Sequence, residues 1–286
     1  MNEWTVIERP ERDRLGEGLL WSDRDQAVYW TDILASKLHR IGLADGRIES
    51  WTMPEMIGWV IERETGPGLI AGLQSAIVEL TLDPITITPI VSPEAHMPNN
   101  RRNDAKADAR GRIWAGSMDV GAARETGALY RLDPDRSLHR VDSGYYICNG
   151  PAFSRDQRVL YHTDSALGLV YRFALKDDGS LGPREIFLAF ENDWGKPDGM
   201  TVDAEGGVWI AHWGAARVSR FTPDGALDRS IALPASQITN CTFAGDRLDR
   251  MFVTSAAEGR EDEPLAGALF EIDPGATGLP TGRFGG

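Results

Sequence analysis

Five oxygen-bearing residues, Glu17, Asn103, Asn149, Asp198 and Asn240, recur at one place in an internal repeat, and Gly58 stands at the sixth equivalent position. Drawn together, they would form a ring of two carboxylates and three amides, a donor set that favours a hard divalent cation. With neither His nor Cys among them, Ca2+, Mg2+, Mn2+ or Fe2+ suit the set better than a thiolate-type zinc site, and the metal's identity stays open among these and Zn2+. Convergent carboxylates without a cation repel one another and shift toward protonation, so a bound metal is the simplest compensation. Taken singly, Asn-Gly and Asp-Gly pairs are ordinary turn formers that cap their own backbone. The shared place in the repeat is what favours a common site.

The six residues open units 41 to 49 positions apart, the length of a four-stranded propeller blade. The stretch from Asn149 to Asp164 shows the pattern: a polar opening, Ser154 five positions on, a polar turn, and Tyr161 twelve positions on. Ser22, Asp108 and Asp203 match Ser154. Tyr29, Trp114, Trp209 and Phe252 match Tyr161 inside short apolar runs that read as a buried second strand, where the Gly58 unit has Leu69-Ile70. A third strand recurs in all six units, for example Leu129-Tyr130-Arg131-Leu132 and Val218-Ser219-Arg220-Phe221, and turn signals such as Asp178-Gly179 and Asp224-Gly225 follow several of them. A fourth, outer strand then completes each blade.

The last unit runs into a Gly- and Pro-rich tail that makes a poor outer strand. The N-terminal run Trp4-Thr5-Val6-Ile7 is expected to supply that strand and close the ring. The expected fold is all-β: a six-bladed β-propeller with four antiparallel strands per blade, occupying residues 1–286 as one domain. Innermost strands line the channel of a propeller, so the six opening positions are expected to converge there.

The net charge of −13 would repel phosphate backbones and anionic headgroups, so neither nucleic acid nor a membrane surface is an expected partner. Only Cys148 and Cys241 are present, too few for a disulfide framework. With no signal-like N-terminus and no apolar run of membrane-spanning length, the sequence reads as a cytoplasmic protein, monomeric or weakly homo-oligomeric.

Leu15-Gly16-Glu17-Gly18, Asn100-Arg101-Arg102-Asn103-Asp104, Asn149-Gly150 and Pro197-Asp198-Gly199-Met200, in this order and spacing, resemble the family of regucalcin (senescence marker protein), gluconolactonases, luciferin-regenerating-enzyme-like proteins and bacterial sugar lactonases. The resemblance runs essentially from end to end. It implies one divalent metal held by Glu17, Asn149 and Asp198, with Arg101 and Asn103 holding the ring oxygens and hydroxyls of a sugar lactone. The implied reaction is hydrolysis of a pentono- or hexonolactone to its aldonic acid, with Asp198 also serving as general base toward the attacking water. Family members often carry a Glu shortly after a Gly-x-Met segment, whereas here Gly116-Ser117-Met118 precedes Asp119, Val120 and Gly121. Either Asp119 takes that substrate contact or the contact is absent.

Two rival functions stay open at this point: a non-catalytic calcium-binding regulatory propeller, and a hydrolase of other esters or phosphotriesters on the same architecture. Arg101 with Asn103 argues against the first, since a pure cation site has no need of a facing Arg, and a substrate panel with metal titration separates all three. Arg102 reads as a surface ion pair. His162 and His212 read as packed or solvent-facing strand residues, Cys148 and Cys241 as small buried residues, and Trp194 and Trp213 either as aromatics stacking on a sugar face or as core or rim packing. Asp164, echoed by Asp32, reads as a turn or cap residue.

Overall fold

The computed structural model describes residues 4–286. Its strands form six four-stranded antiparallel sheets, each with its strands in chain order except for the last. Blade 1 runs from Gly16 to Thr52, blade 2 from Ile57 to Val91, blade 3 from Asn100 to Tyr145, blade 4 from Cys148 to Ala189 and blade 5 from Lys196 to Ala232. Blade 6 takes three strands from Ile238 to Ile272 and its outer strand, Trp4–Val6, from the other end of the chain. Thr5 pairs with Glu271 and Val6 with Phe270, the ring closure expected from sequence. Inner strands of successive blades contact one another around the ring, including blade 6 with blade 1.

The apolar core is divided among the blade interfaces. Each of six buried clusters joins two adjacent blades: Trp209 of blade 5 packs with Phe243 and Met251 of blade 6, and Trp30 of blade 1 with Phe252 and Leu269 of blade 6. The residues five and eleven positions after the ring opening meet directly in two blades. Asp108 accepts from the Trp114 indole and from Arg112, and Asp203 accepts from the Trp209 indole and from Arg220. An aspartate that ends the inner strand thereby satisfies the indole donor of the neighbouring strand, a buried polar atom that needs a partner.

The tail is the part the repeat does not describe. Instead of forming an outer strand it crosses the channel end remote from the ring residues. Thr277 accepts from Ala204 of blade 5, Arg283 pairs with Glu62 of blade 2 and with Asp23 of blade 1, and Gly285 donates to Gly111 of blade 3. Phe284 is fully buried between blades 2 and 3 with Trp59, Ile61 and Ile113.

Candidate active site at the channel mouth

All six opening residues lie at the start of innermost strands: Gly16–Ser22, Ile57–Glu62, Asn100–Ala107, Cys148–Phe153, Lys196–Val202 and Ile238–Ala244. Each of these strands breaks register with its neighbour at that point. In blade 3, Asn103 and Asp104 together oppose a single residue, Gly116; in blade 5, Asp198 and Gly199 oppose Ala211. A bulge bends the strand and re-aims its side chains, which is how residues of an otherwise alternating strand come to face the axis.

The bulges leave little room at the glycines. At Gly18, which has a positive φ of 58°, an added Cβ would lie 2.5 Å from the Gly58 carbonyl oxygen. At Gly58 a Cβ would meet the carbonyl oxygens of Asn103 at 2.7 Å and Arg102 at 2.8 Å. The one ring position without side-chain oxygen is therefore filled by the backbone of blade 3.

Glu17, Arg101, Asn103, Asn149, Asp198 and Asn240 are all buried. The Asn103 amide donates to Asn149 Oδ1 at 2.7 Å, and the Asn240 amide donates to Glu17 Oε2 at 3.0 Å. The Asn149 amide in turn donates to Ser165 Oγ, whose hydroxyl donates to the Pro197 carbonyl one blade on. Arg101 donates to Asn103 Oδ1 at 2.5 Å and to the Arg102 carbonyl at 3.2 Å. Burial lowers the Arg101 guanidinium to about 10 while the facing Glu17 and Asp198 carboxylates oppose that shift, so Arg101 stays cationic at neutral pH.

A third carboxylate, Asp104, the last residue of the Asn100–Asp104 motif, belongs to the same cluster. It is buried and accepts from the Asn240 amide at 3.2 Å. Burial, then the charge of Asp104, push Glu17 up to about 8. Burial, then Glu17 and Asp104, push Asp198 far above the usual carboxylate range. Asp104 itself is raised to about 6 by burial, against the pull of Lys106. Asp198 Oδ1 and Asn240 Oδ1 are buried without a hydrogen-bond donor. Crowded carboxylates and orphaned acceptor oxygens are what a site for a divalent cation consists of when only its protein part is considered. Among the described residues no three His, Cys, Asp or Glu side chains are grouped to hold a metal by themselves, so a cation site here has to draw on side-chain amide oxygens as well.

The remaining sequence candidates divide. Asp119 ends the second strand of blade 3 opposite Asn100, and its carboxylate is engaged by Arg124 and by the Ala123 backbone amide, which hold it below its usual range. It serves the rim loop 120–126. Arg102 corrects the sequence expectation of a surface ion pair: it is buried, and its partner is the buried carboxylate of Glu94. Asp164 accepts from the Tyr146, Ile147 and Ala166 amides, and Asp32 accepts from Arg14, Leu15 and Ala35, so both cap rim loops.

His162 is buried against Tyr145 and lowered to about 3 by burial, so it is a neutral packing residue. His212 packs on Phe190 and donates to the Trp194 carbonyl, pinning the turn that carries Trp194. Burial raises Cys148 well above its usual range and Cys241 to about 12, so neither is a thiolate nucleophile. Farther along the channel, past the ring, lies a cavity of about 480 Å³ lined by residues such as Leu20, Phe153 and Met200 and by Leu279 and Pro280 of the tail.

The chain is 34% identical to a 6-deoxy-6-sulfogluconolactonase of Pseudomonas putida over the full length of both. It is 34% identical to an L-arabinolactonase of Azospirillum brasilense, covering 96% of this chain and 93% of that one. A crystal structure from Agrobacterium tumefaciens, described as a calcium-binding protein, regucalcin, superposes with a TM-score of 0.93 at 26% identity over 98% of this chain and 96% of that one. The family model for the SMP-30/Gluconolactonase/LRE-like region matches residues 15–257. A ring of bulged inner strands, a buried oxygen cluster faced by Arg101, and similarity along the whole chain lead to one conclusion: this protein belongs to the SMP-30/gluconolactonase/LRE-like family.

Proposed function

We propose that this protein is a sugar lactonase that opens an aldonolactone, a pentono- or hexonolactone, to the aldonic acid. The observation that carries the reading is the buried cluster of Glu17, Asp104 and Asp198 facing a buried, cationic Arg101. The lactonase relatives support it.

Glu17, Asn149 and Asp198 would hold a divalent cation, whose chemistry when bound is Lewis-acid polarisation of an ester carbonyl. Arg101 and Asn103 bind the lactone. The Arg101 guanidinium donors match the ring oxygen and hydroxyls of a neutral sugar, and Asn103, whose amide donates to the Cys148 carbonyl and Asn149 Oδ1, holds that guanidinium through its Oδ1. With the charge of the cluster compensated by a cation Asp198 would be ionised, and its Oδ1, which has no hydrogen-bond donor, would take the proton of the attacking water. That water adds to the lactone carbonyl carbon, the acyl C–O bond breaks, and the departing ring oxygen takes up a proton to become a hydroxyl. Asp198 is the residue placed to return it. Ser165 and Asn240 keep Asn149 and Glu17 in place. The metal's identity is read only as a hard cation, with Ca2+, Mg2+ and Mn2+ ahead of Zn2+.

A panel of aldonolactones, simple esters and a phosphate triester, each assayed with added Ca2+, Mg2+, Mn2+ or Zn2+ and after exhaustive chelation, tests the reading. Cation-dependent turnover of aldonolactones above the spontaneous rate is expected. Cation binding with no turnover of any substrate would favour a regulatory calcium-binding propeller instead.

A further inference from the structure

We propose that Glu94, a residue remote from the reacting atoms, fixes the orientation of the Arg101–Asn103 arm by gripping Arg102. The proposal rests on the reading of Arg101 and Asn103 as substrate-binding residues. Glu94 lies in the rim loop between the outer strand of blade 2, Ile85–Val91, and the inner strand of blade 3, Asn100–Ala107. It is 4% exposed, and its carboxylate accepts from four side chains. These are Arg102, the Ser117 hydroxyl at 2.7 Å, the Tyr130 hydroxyl at 3.0 Å and the Asn100 amide at 3.2 Å. The four donors come from the inner, second and third strands of blade 3, so one carboxylate ties the rim loop to three strands.

Arg102 stands between Arg101 and Asn103, and alternation along the strand turns it away from the channel that they face. It pairs with Ser117 immediately before the bulge that presents Asn103 and Asp104. The Arg101 guanidinium donates both to the Arg102 carbonyl and to Asn103 Oδ1, so the placement of the Arg102 peptide sets the reach of both substrate-facing side chains. Within the protein, the other two guanidinium nitrogens of Arg102, Nε and Nη1, are buried without an acceptor, which leaves Glu94 as its ionic anchor. Asn100 extends the same network to the second rim loop by exchanging hydrogen bonds with Thr126. Glu94 thus holds the base of both loops that flank Arg101.

A purely structural ion pair would affect stability alone. A positioning role affects substrate affinity separately, because a misplacement near 1 Å weakens the grip on a bound substrate. The test compares wild type, Glu94→Gln, and the apolar double variant Glu94→Leu with Arg102→Met. The double variant removes both buried charges and so keeps a folded protein available if the single variant fails to fold. Glu94→Gln is expected to raise KM for the aldonolactone roughly tenfold, with kcat within about threefold. The double variant is expected to recover Tm but not KM.

A wild-type KM in Glu94→Gln, or a KM that returns together with Tm in the double variant, overturns the proposal. Lack of lactone turnover by the wild-type protein would count against the functional reading alone. In that event the crystal structure of the double variant decides this one: Arg101 displaced from Asn103 supports it, and Arg101 unmoved refutes it.

Discussion

Removal of divalent cations should make this protein less stable as pH rises from 6.5 to 8. Burial and the neighbouring Asp104 raise Glu17 from 4.5 to about 8. Asp198 is raised in the same direction by burial, Glu17 and Asp104. A carboxyl whose pKa is higher folded than unfolded keeps a proton that the unfolded chain has lost. Stability therefore falls with rising pH between the two values, by about 1.4 kcal/mol per pH unit for each such proton. Over the window from 6.5 to 8, Glu17 alone gives a loss of about 2 kcal/mol, and Asp198 adds to it with the same sign. His162 and His212, lowered by burial to about 3 and about 4, act in the opposite sense, chiefly below the ordinary histidine value of 6.5 and fading within about one pH unit above it.

At about 2–4 °C per kcal/mol, the expected fall in Tm is about 5 °C from Glu17. The assay is thermal unfolding of chelated protein at half-unit pH steps, repeated with Ca2+ or Mn2+ and with Glu17→Gln. A cation should raise Tm more at pH 8 than at pH 6.5, since protons compete with it, and Glu17→Gln should flatten much of the metal-free slope. A metal-free Tm that is level or rising over this window refutes the reasoning. So does an unchanged slope in Glu17→Gln.

Other consequences are as direct. Gly58→Ala places a methyl against the carbonyl oxygens of Arg102 and Asn103, and it should lower kcat/KM at least tenfold while the circular dichroism spectrum stays that of the wild type. Phe284→Ala empties a fully buried site between blades 2 and 3 and should cost about 3–5 kcal/mol in denaturant unfolding, with KM for any turned-over lactone unchanged.

The fold was legible because a propeller repeats itself. A Ser or Asp ending the inner strand, an aromatic on the second strand and an apolar third strand recur often enough that six blades follow from spacing, and the closure by Trp4–Val6 from a tail too rich in Gly and Pro to form the last outer strand. The repeat also located Glu17, Asn103, Asn149, Asp198 and Asn240 at one level of the channel. It missed Asp104 because it assigns one inward residue to each blade, whereas the bulge of blade 3 presents two. Arg102 looked like a surface residue because its partner, Glu94, sits in an irregular loop that no periodicity reaches. A Glu six residues before a strand that carries Arg-Arg-Asn-Asp was the available signal. The tail was legible as a poor strand but not as a strap, because its partners on blades 1, 2, 3 and 5 are set by the closed ring.

The most direct test of the central claim is the rate of acid release from an aldonolactone by wild type and by Asp198→Ala, followed by pH-stat above a protein-free blank. Wild type should turn over the lactone, and Asp198→Ala should lose about hundredfold or more with its circular dichroism spectrum unchanged. A wild-type rate in Asp198→Ala would contradict the account.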